Sequence, residues 1–477
     1  MRMRSQYGRV IRLIQAAFGI LALSVSVAKA QQPEGQSSAP IPAYHSPFAS
    51  AADYGDDENN AQEPPASTRP LAGARNLALG GFETSRTFWQ PRFDLFATGD
   101  SNAAQRTGPA SWGTWTSFSG GTDVHYASGN SDVSLGYTGG LMYSNDASSP
   151  NGVVQKLDVV DKISFRRVAV TLMDQLSYLP EQSFGFGGLG GVLPSSGITT
   201  GLGTGFVPDQ SILAGRGQNL SNSYVTELDT YLTGRTSLIF SGGYSVLRYM
   251  DNSLQNSWDV IGRAGYNYQI SSKNTIAVLY TYQGIRYANF QQSVDDHAAQ
   301  ISFGRRVTGR LAFQIAAGPE VSMFQRSLSG TAMNSTSIHW SLHTGAQYRV
   351  KRNQFALSYI HTVSSGSGVL AGAIADIASG TATRQMSRTF TSGITAGYSH
   401  NNGLSTSGTP INQRYSYWYG GATLSHPWGP VLGLTLSYQV QYQDSNLPFS
   451  IGPTKSTSLV RHLISVGLSW HQRPLRF

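Results

Sequence analysis

The stretch Leu432–Tyr442 constrains the fold more than any other part of the chain. Positions 432, 434, 436, 438, 440 and 442 are Leu, Leu, Leu, Tyr, Val and Tyr, and the residues between them are Gly433, Thr435, Ser437, Gln439 and Gln441. A period of two puts one set on each face of a β-strand. A run of this length crosses a bilayer as a tilted strand. In hydrocarbon, a strand leaves its backbone N–H and C=O groups without water, so every one must pair with a neighbouring strand and the sheet must close.

The pattern recurs along most of the chain. Val133, Leu135, Tyr137, Leu141 and Tyr143 alternate with Ser134, Gly136, Thr138 and Gly140. Trp258, Val260, Ala264, Tyr266, Tyr268 and Ile270 alternate with Asp259, Arg263, Asn267 and Gln269. Ile338, Trp340, Leu342, Ala346, Tyr348 and Val350 alternate with His339, Ser341, His343, Gln347 and Arg349. Short polar turns near 128–130, 166–167, 234–235, 271–273, 308–310, 351–353, 387–388 and 427–429 separate these runs. Longer connections lie near 99–111, 144–152, 179–223, 249–256, 288–293, 325–334, 363–377, 401–412 and 444–455. Short and long alternate without a break, the asymmetry of transmembrane barrels. The spacing predicts an all-β fold: an antiparallel up-and-down transmembrane β-barrel of about 18 strands, running from 89–98 to 457–471. Segments 89–98, which contains Pro91, and 378–387 have the weakest pattern, and without them the count is 16. A soluble sandwich would also alternate, but would not need so many long strands at this density of Gly and Tyr. No fixed short repeat of the kind that builds a solenoid is visible.

Composition agrees. Aromatic residues are 11% of the chain, with 24 Tyr and 53 Gly, while charged residues are only 13%. Soluble domains carry about 25% charged residues. Tyr and Trp near strand ends (Trp258, Tyr287, Tyr415, Tyr417 and Trp470) are expected to form interfacial girdles.

Residues 1–30 read as a secretory signal peptide: a basic start at Arg2, Arg4, Arg9 and Arg12, an apolar run from Leu13 to Val27, and Ala28-Lys29-Ala30 before Gln31. Residues 31–87 read as a disordered, Pro- and Ala-rich periplasmic linker, acidic at Asp56-Asp57-Glu58, ahead of a barrel over 88–477. The net charge of +8 divides unevenly. The signal holds five positive residues and no acid, 31–80 holds six acids against two arginines, and 81–477 carries the remaining +7. There is no cysteine, hence no disulfide framework and no thiolate metal site.

With its signal peptide and its strands over 88–477, the chain resembles bacterial outer-membrane β-barrel proteins of the porin-like kind. The resemblance rests on the architecture and on a last strand, Leu459–Trp470, followed by the terminal Phe477, from which Pro474 separates it. Leu135-Gly136-Tyr137-Thr138-Gly139-Gly140 and Gly366-Ser367-Gly368-Val369-Leu370 are similar to stretches of uncharacterised bacterial barrels. The resemblance implies a bacterial outer-membrane location, lipid and lipopolysaccharide as surroundings, assembly by the barrel-assembly machinery, and diffusion of small hydrophilic solutes. The alternative of a different class is a non-conducting structural, adhesion or polysaccharide-export accessory barrel.

Candidate site residues follow from the polar faces. His339, His343 and Arg349 share one strand; Arg263, Glu227, Asp229, Asp296, Arg306 and Glu320 lie on polar faces elsewhere, and Gln439 and Gln441 on the strand described first. In a barrel they line the lumen and set its field. The +7 balance suggests a weak preference for anions. No metal site and no cofactor are expected; His339 and His343 share a face and could join a metal site only with ligands from a neighbouring strand. The segment 179–223 contains 11 glycines, including those of Phe184-Gly185-Phe186, and follows the fifth strand. The third outer loop of porins follows the fifth strand too and narrows the pore, so the resemblance implies a constriction loop with Phe184, Phe186, Asp209 and Arg216. A surface loop is the plainer alternative. Asp161 and Asp174 fall on otherwise apolar faces, which a β-bulge or shifted register would explain, or a contact between protomers in a homo-oligomer. No G-x-S-x-G, H-E-x-x-H or phosphate-loop motif occurs, so no enzymatic activity is expected, and no basic cluster with interleaved aromatics points to nucleic acid.

Overall fold

The structure, a computed structural model, describes residues 87–102, 112–145, 151–179, 218–250, 254–288, 292–328, 331–364, 370, 372–387, 389–404, 413–446 and 457–476. The expected signal peptide, nearly all of the linker, and Phe477 lie outside the described residues.

Eighteen long strands follow one another along the chain. They are β1 (Phe88–Asp100), β2 (Gly113–Ser128), β3 (Ser131–Ser144), β4 (Gly152–Ser164), β5 (Val168–Leu179) and β6 (Asn219–Tyr231). Next come β7 (Thr236–Tyr249), β8 (Ser257–Gln269), β9 (Asn274–Tyr287), β10 (Gln292–Arg306), β11 (Leu311–Leu328) and β12 (Thr331–Val350). The last six are β13 (Asn353–Ser364), β14 (Ala373–Gln385), β15 (Thr391–Gly403), β16 (Arg414–Pro427), β17 (Leu432–Ser445) and β18 (Thr457–His471), with a two-residue β19 (Leu475–Arg476) behind them. Each long strand pairs antiparallel with the next, and β18 returns to pair with β1 from Arg92↔His471 to Asp100↔Leu463. The barrel is closed, so no open edge faces hydrocarbon.

Both weakly patterned strands are present. Pro91, which has no N–H to give to a ladder, sits where β18 hands over to β19. Arg92 faces His471 but Trp89 faces Leu475, so the C-terminal strand carries one extra residue, a β-bulge that includes Pro474. The Pro91 carbonyl accepts a hydrogen bond from the Gln472 N–H at 3.1 Å. The two prolines thus occupy one interruption instead of breaking two strands. Several connections are shorter than the sequence suggests. β11 and β12 stay paired as far as Leu328↔Thr331, and β14 begins at Ala373, inside the expected loop 363–377.

Alternation sorts the side chains. On β17, Leu434, Leu436, Tyr438 and Tyr442 are exposed on the outside, whereas Thr435, Ser437, Gln441 and Gln443 are buried inside. Ile338, Trp340, Leu357 and Ile394 are among the other exposed outer residues. Only two of the five expected girdle residues belong outside: Trp258 is exposed and Trp470 lies tilted against the outer Phe93, ring centroids 5.6 Å apart. Tyr287, Tyr415 and Tyr417 have the opposite parity and are buried inside, Tyr417 against Leu459. Trp418 holds the outer position that Tyr417 was expected to take.

Asp161 and Asp174 involve no bulge and no slipped register. β4 pairs with β3 and β5 without interruption, which puts Asp161 opposite Val133 and Leu172, and Asp174 opposite Val159, all on the outer face. Each acid is given a local partner instead. The Ser131 hydroxyl donates to Asp161 at 3.1 Å and the Asn222 amide donates to Asp174 at 2.7 Å.

The closing seam is held by more than its ladder. Arg461 donates through Nε (2.9 Å) and Nη2 (2.6 Å) to Asp100 Oδ2, with both side chains out of water. Thr98 and Ser465 exchange a hydrogen bond at 2.8 Å, and the Phe96 ring lies directly over Gly467, where a Cβ would collide with it. Removing one partner of a buried ion pair costs about 3–5 kcal/mol. Arg461→Ala is expected to lower the unfolding free energy, read from urea titration of the folded, heat-modifiable form, by that order, and Asp100→Asn combined with Arg461→Met by much less, since no charge is then stranded.

Candidate functional site

The candidate site is the inner wall, because the alternation that makes the outside largely apolar collects most of the ionisable residues inside. Glu227 and Asp229 of β6, Arg263 of β8, Asp296 and Arg306 of β10 and Glu320 of β11 all have inward parity. So do His339, His343 and Arg349 of β12, and Gln439 and Gln441 of β17. Phe184, Phe186, Asp209 and Arg216 lie outside the described residues.

The wall brings several of these residues together. Arg263 Nε donates to Thr281 Oγ1 at 3.1 Å, and the guanidinium interacts electrostatically with Glu227 on one side and with His343, four strands away, on the other. Closer to the long-loop end, Glu320 stands directly opposite His339, and the Ser322 hydroxyl joins Asp296 (2.6 Å) to the His339 ring (2.9 Å).

A second charged group escaped the sequence-based selection. Arg92 of β1 donates to Asp123 of β2 at 2.9 Å and to the Thr138 hydroxyl of β3 at 2.5 Å, with Lys156 and Asp158 of β4 within electrostatic reach. Asp259, bonded by Ser245 at 3.1 Å, and the seam pair Asp100 and Arg461 also point inward. The signal for Lys156 and Asp158 was in the sequence. They alternate with Leu157, Val159 and Asp161, so placing Asp161 outside places them inside.

The wall is not uniformly polar. Ile239, Ala277, Leu279 and Ala316 form one inner apolar cluster; Met173, Val225 and Ile261 form another, with Val160 against it. A third lies at the long-loop end, where Ile285, Tyr287, Val294, Phe324 and Val363 pack together with Ile374 and Leu404. Gly372 presses into this cluster. It has φ +89° and lies so close to Leu404 and Val294 that a Cβ would stand 3.0 Å and 3.2 Å from their side chains. Glycine tolerates both the backbone and the contact. Gly372, just ahead of β14, therefore sits at the barrel mouth against this cluster.

Positive charge gathers at the other end. Arg166, Arg167, Arg235, Lys273, Arg310, Lys351 and Arg352 occupy exposed positions in the short turns, which contain no acid. The positive balance of the barrel is carried by this rim. The inner wall itself holds many carboxylates.

No protein-family model matches the chain, and no curated protein matches it. Among solved structures, it is similar to OpdQ of Pseudomonas aeruginosa at 10% identity, with a TM-score of 0.40 over 82% of this chain and 99% of that one. OccAB3 of Acinetobacter baumannii matches at 10% identity, TM-score 0.40, over 81% of this chain and 99% of that one. OccK2 (OpdF) of Pseudomonas aeruginosa, solved in complex with glucuronate, matches at 12% identity, TM-score 0.40, over 80% and 98%. The closure and the faces described above rest on this chain's own pairing.

Proposed function

We propose that this chain is a bacterial outer-membrane channel through which small hydrophilic solutes diffuse, with no bond made or broken. The observation that carries this reading is the closed sheet of eighteen long strands with an apolar outer face and an inner face rich in Ser, Thr, Gln and charged residues. Barrels of about 16–18 strands are wide enough for an aqueous passage. The inner apolar cluster around Phe324 and Tyr287 favours the second reading, a non-conducting structural barrel, because apolar constrictions exclude water. Single-channel recording of purified protein in planar bilayers separates the two. Steps of constant size, enlarged by Phe324→Ala or by deletion of 184–206, support the channel; repeated silence supports the structural barrel.

Anion preference, on this reading, arises at the basic rim of the short turns, since the wall carries acids as well as bases. Charge at a narrow mouth biases which ions approach it. Replacing Arg310, Lys351 and Arg352 together by Ser is expected to shift the reversal potential in a KCl gradient toward cation preference, and less so at high salt.

Lipid and lipopolysaccharide then surround the outer wall, after insertion by the barrel-assembly machinery. Asp174 sits among apolar neighbours on that wall, where a carboxylate is unfavourable, and a second copy of the chain covering β4 to β6 would remove it from lipid. Light scattering in detergent is expected to give a multiple of the chain mass, reduced to the single-chain mass by Asp174→Leu. A wild-type protein of single-chain mass would refute the contact.

A further inference from the structure

Asp296, Glu320 and His339 project inward from the adjacent strands β10, β11 and β12, and one ligand-capable atom of each lies within 4.8 Å of the others. The register produces this. Glu320 is paired with His339 across one strand gap, and Asp296 is paired with Ser322, two residues along from Glu320, across the other. Glu320 is 0% exposed and Asp296 3%. Two carboxylates this far out of water stay ionised only with positive charge beside them.

The hydrogen bonds show where that charge belongs. Glu320 Oε1 accepts from the Thr362 hydroxyl at 3.0 Å and from the Val363 N–H at 3.3 Å. Oε2 of the same carboxylate is buried and has no hydrogen-bond partner. The Ser322 hydroxyl has one proton, and it donates to Asp296 Oδ1 at 2.6 Å. With Asp296 ionised, it accepts from His339 Nε2, 2.9 Å away, which makes Nε2 the protonated ring nitrogen. The lone pair of a neutral His339 then lies on Nδ1. That atom is 3.4 Å from Glu320 Oε2 and 3.3 Å from the Trp340 carbonyl oxygen. Acceptors face acceptors across this gap, and a cation between them resolves the conflict.

We propose that Asp296, Glu320 and His339 bind a divalent transition-metal ion of the zinc type. One imidazole and two carboxylates form a donor set that suits such an ion, and ligand distances of about 2.0–2.2 Å need only a small convergence of the three strands. Ser322, Thr362 and the Val363 N–H orient the ligands by holding their other atoms, as the outer partners of metal sites do. The ion pins β10, β11 and β12 to one another beneath the apolar cluster of the mouth and cancels the negative charge of the two carboxylates there. Of the two histidines that share this face, only His339 receives ligands from neighbouring strands; His343 stands by Arg263, away from the carboxylates.

The test uses untagged full-length protein in detergent, freed of metal by chelation and titrated with ZnCl2 alone by calorimetry. This readout does not depend on whether the barrel conducts. The expected result is saturable binding of one equivalent, weakened at least tenfold by Glu320→Gln and by His339→Gln and unchanged by His361→Ala, whose ring pairs with Asp376 on a neighbouring strand. Heat-modifiable migration confirms that each variant is folded, and His339→Gln serves should Glu320→Gln not fold. Bound zinc is also expected to show nitrogen and oxygen scatterers by X-ray absorption. No saturable binding by the wild-type protein would overturn the proposal and leave a proton shared between Glu320 and His339 as the charge that holds the pair. Equal affinity in both ligand variants would overturn it as well.

Discussion

Everything in this structure depends on the pairing of β1 with β18. Without it, the backbone groups of two edge strands would stand unpaired in hydrocarbon, at several kcal/mol each. The pairing runs from Arg92 to Asp100 and is reinforced by groups that only closure brings together: Asp100 with Arg461, Thr98 with Ser465, Phe96 over Gly467. The prolines that could have broken the seam share one bulge at its end. Once the seam is shut, a period of two has a meaning everywhere else, because one face of every strand is then inside.

The inside that results is of mixed character. Charged pairs such as Arg92 with Asp123, and Glu320 with His339, alternate with apolar clusters, most of whose residues share the inward parity. Contacts between strands make these neighbours. Met173, Val225 and Ile261 come from three different strands, and Gly372 from the connection behind a fourth. A mouth lined by Phe324, Tyr287 and Val363, with a carboxylate–imidazole group directly beneath, is a place where charge and access are set together.

The strands and their faces were legible in the sequence because both are local. Eighteen segments could be delimited from alternation and turn residues, and the parity of His339, Arg263 or Gln441 needed only the apolar neighbours on either side. What was not legible depended on contacts between strands. Tyr287, Tyr415 and Tyr417 were expected outside from their position near strand ends, but their parity is inward, and the partners that make this favourable, Val363 and Leu459 among them, lie far away in sequence. Asp174 read as a register fault because Asn222, which bonds it, belongs to the next strand. Net charge misled for a related reason. The excess sits in the short turns at Arg166, Arg235, Lys351 and their neighbours, and a composition does not say where along the barrel a charge lies.

The absence of cysteine from the chain allows the central claim, a closed wall with water on its inner side, to be tested residue by residue. Single cysteines placed at each position from Leu434 to Tyr442, in protein reconstituted in lipid, can be challenged with a charged, membrane-impermeant thiol reagent. A water-filled lumen predicts labelling that alternates, with Thr435, Ser437, Gln439 and Gln441 reactive and Leu434, Leu436, Tyr438, Val440 and Tyr442 protected. Labelling of the second set, or equal labelling of both, would contradict it.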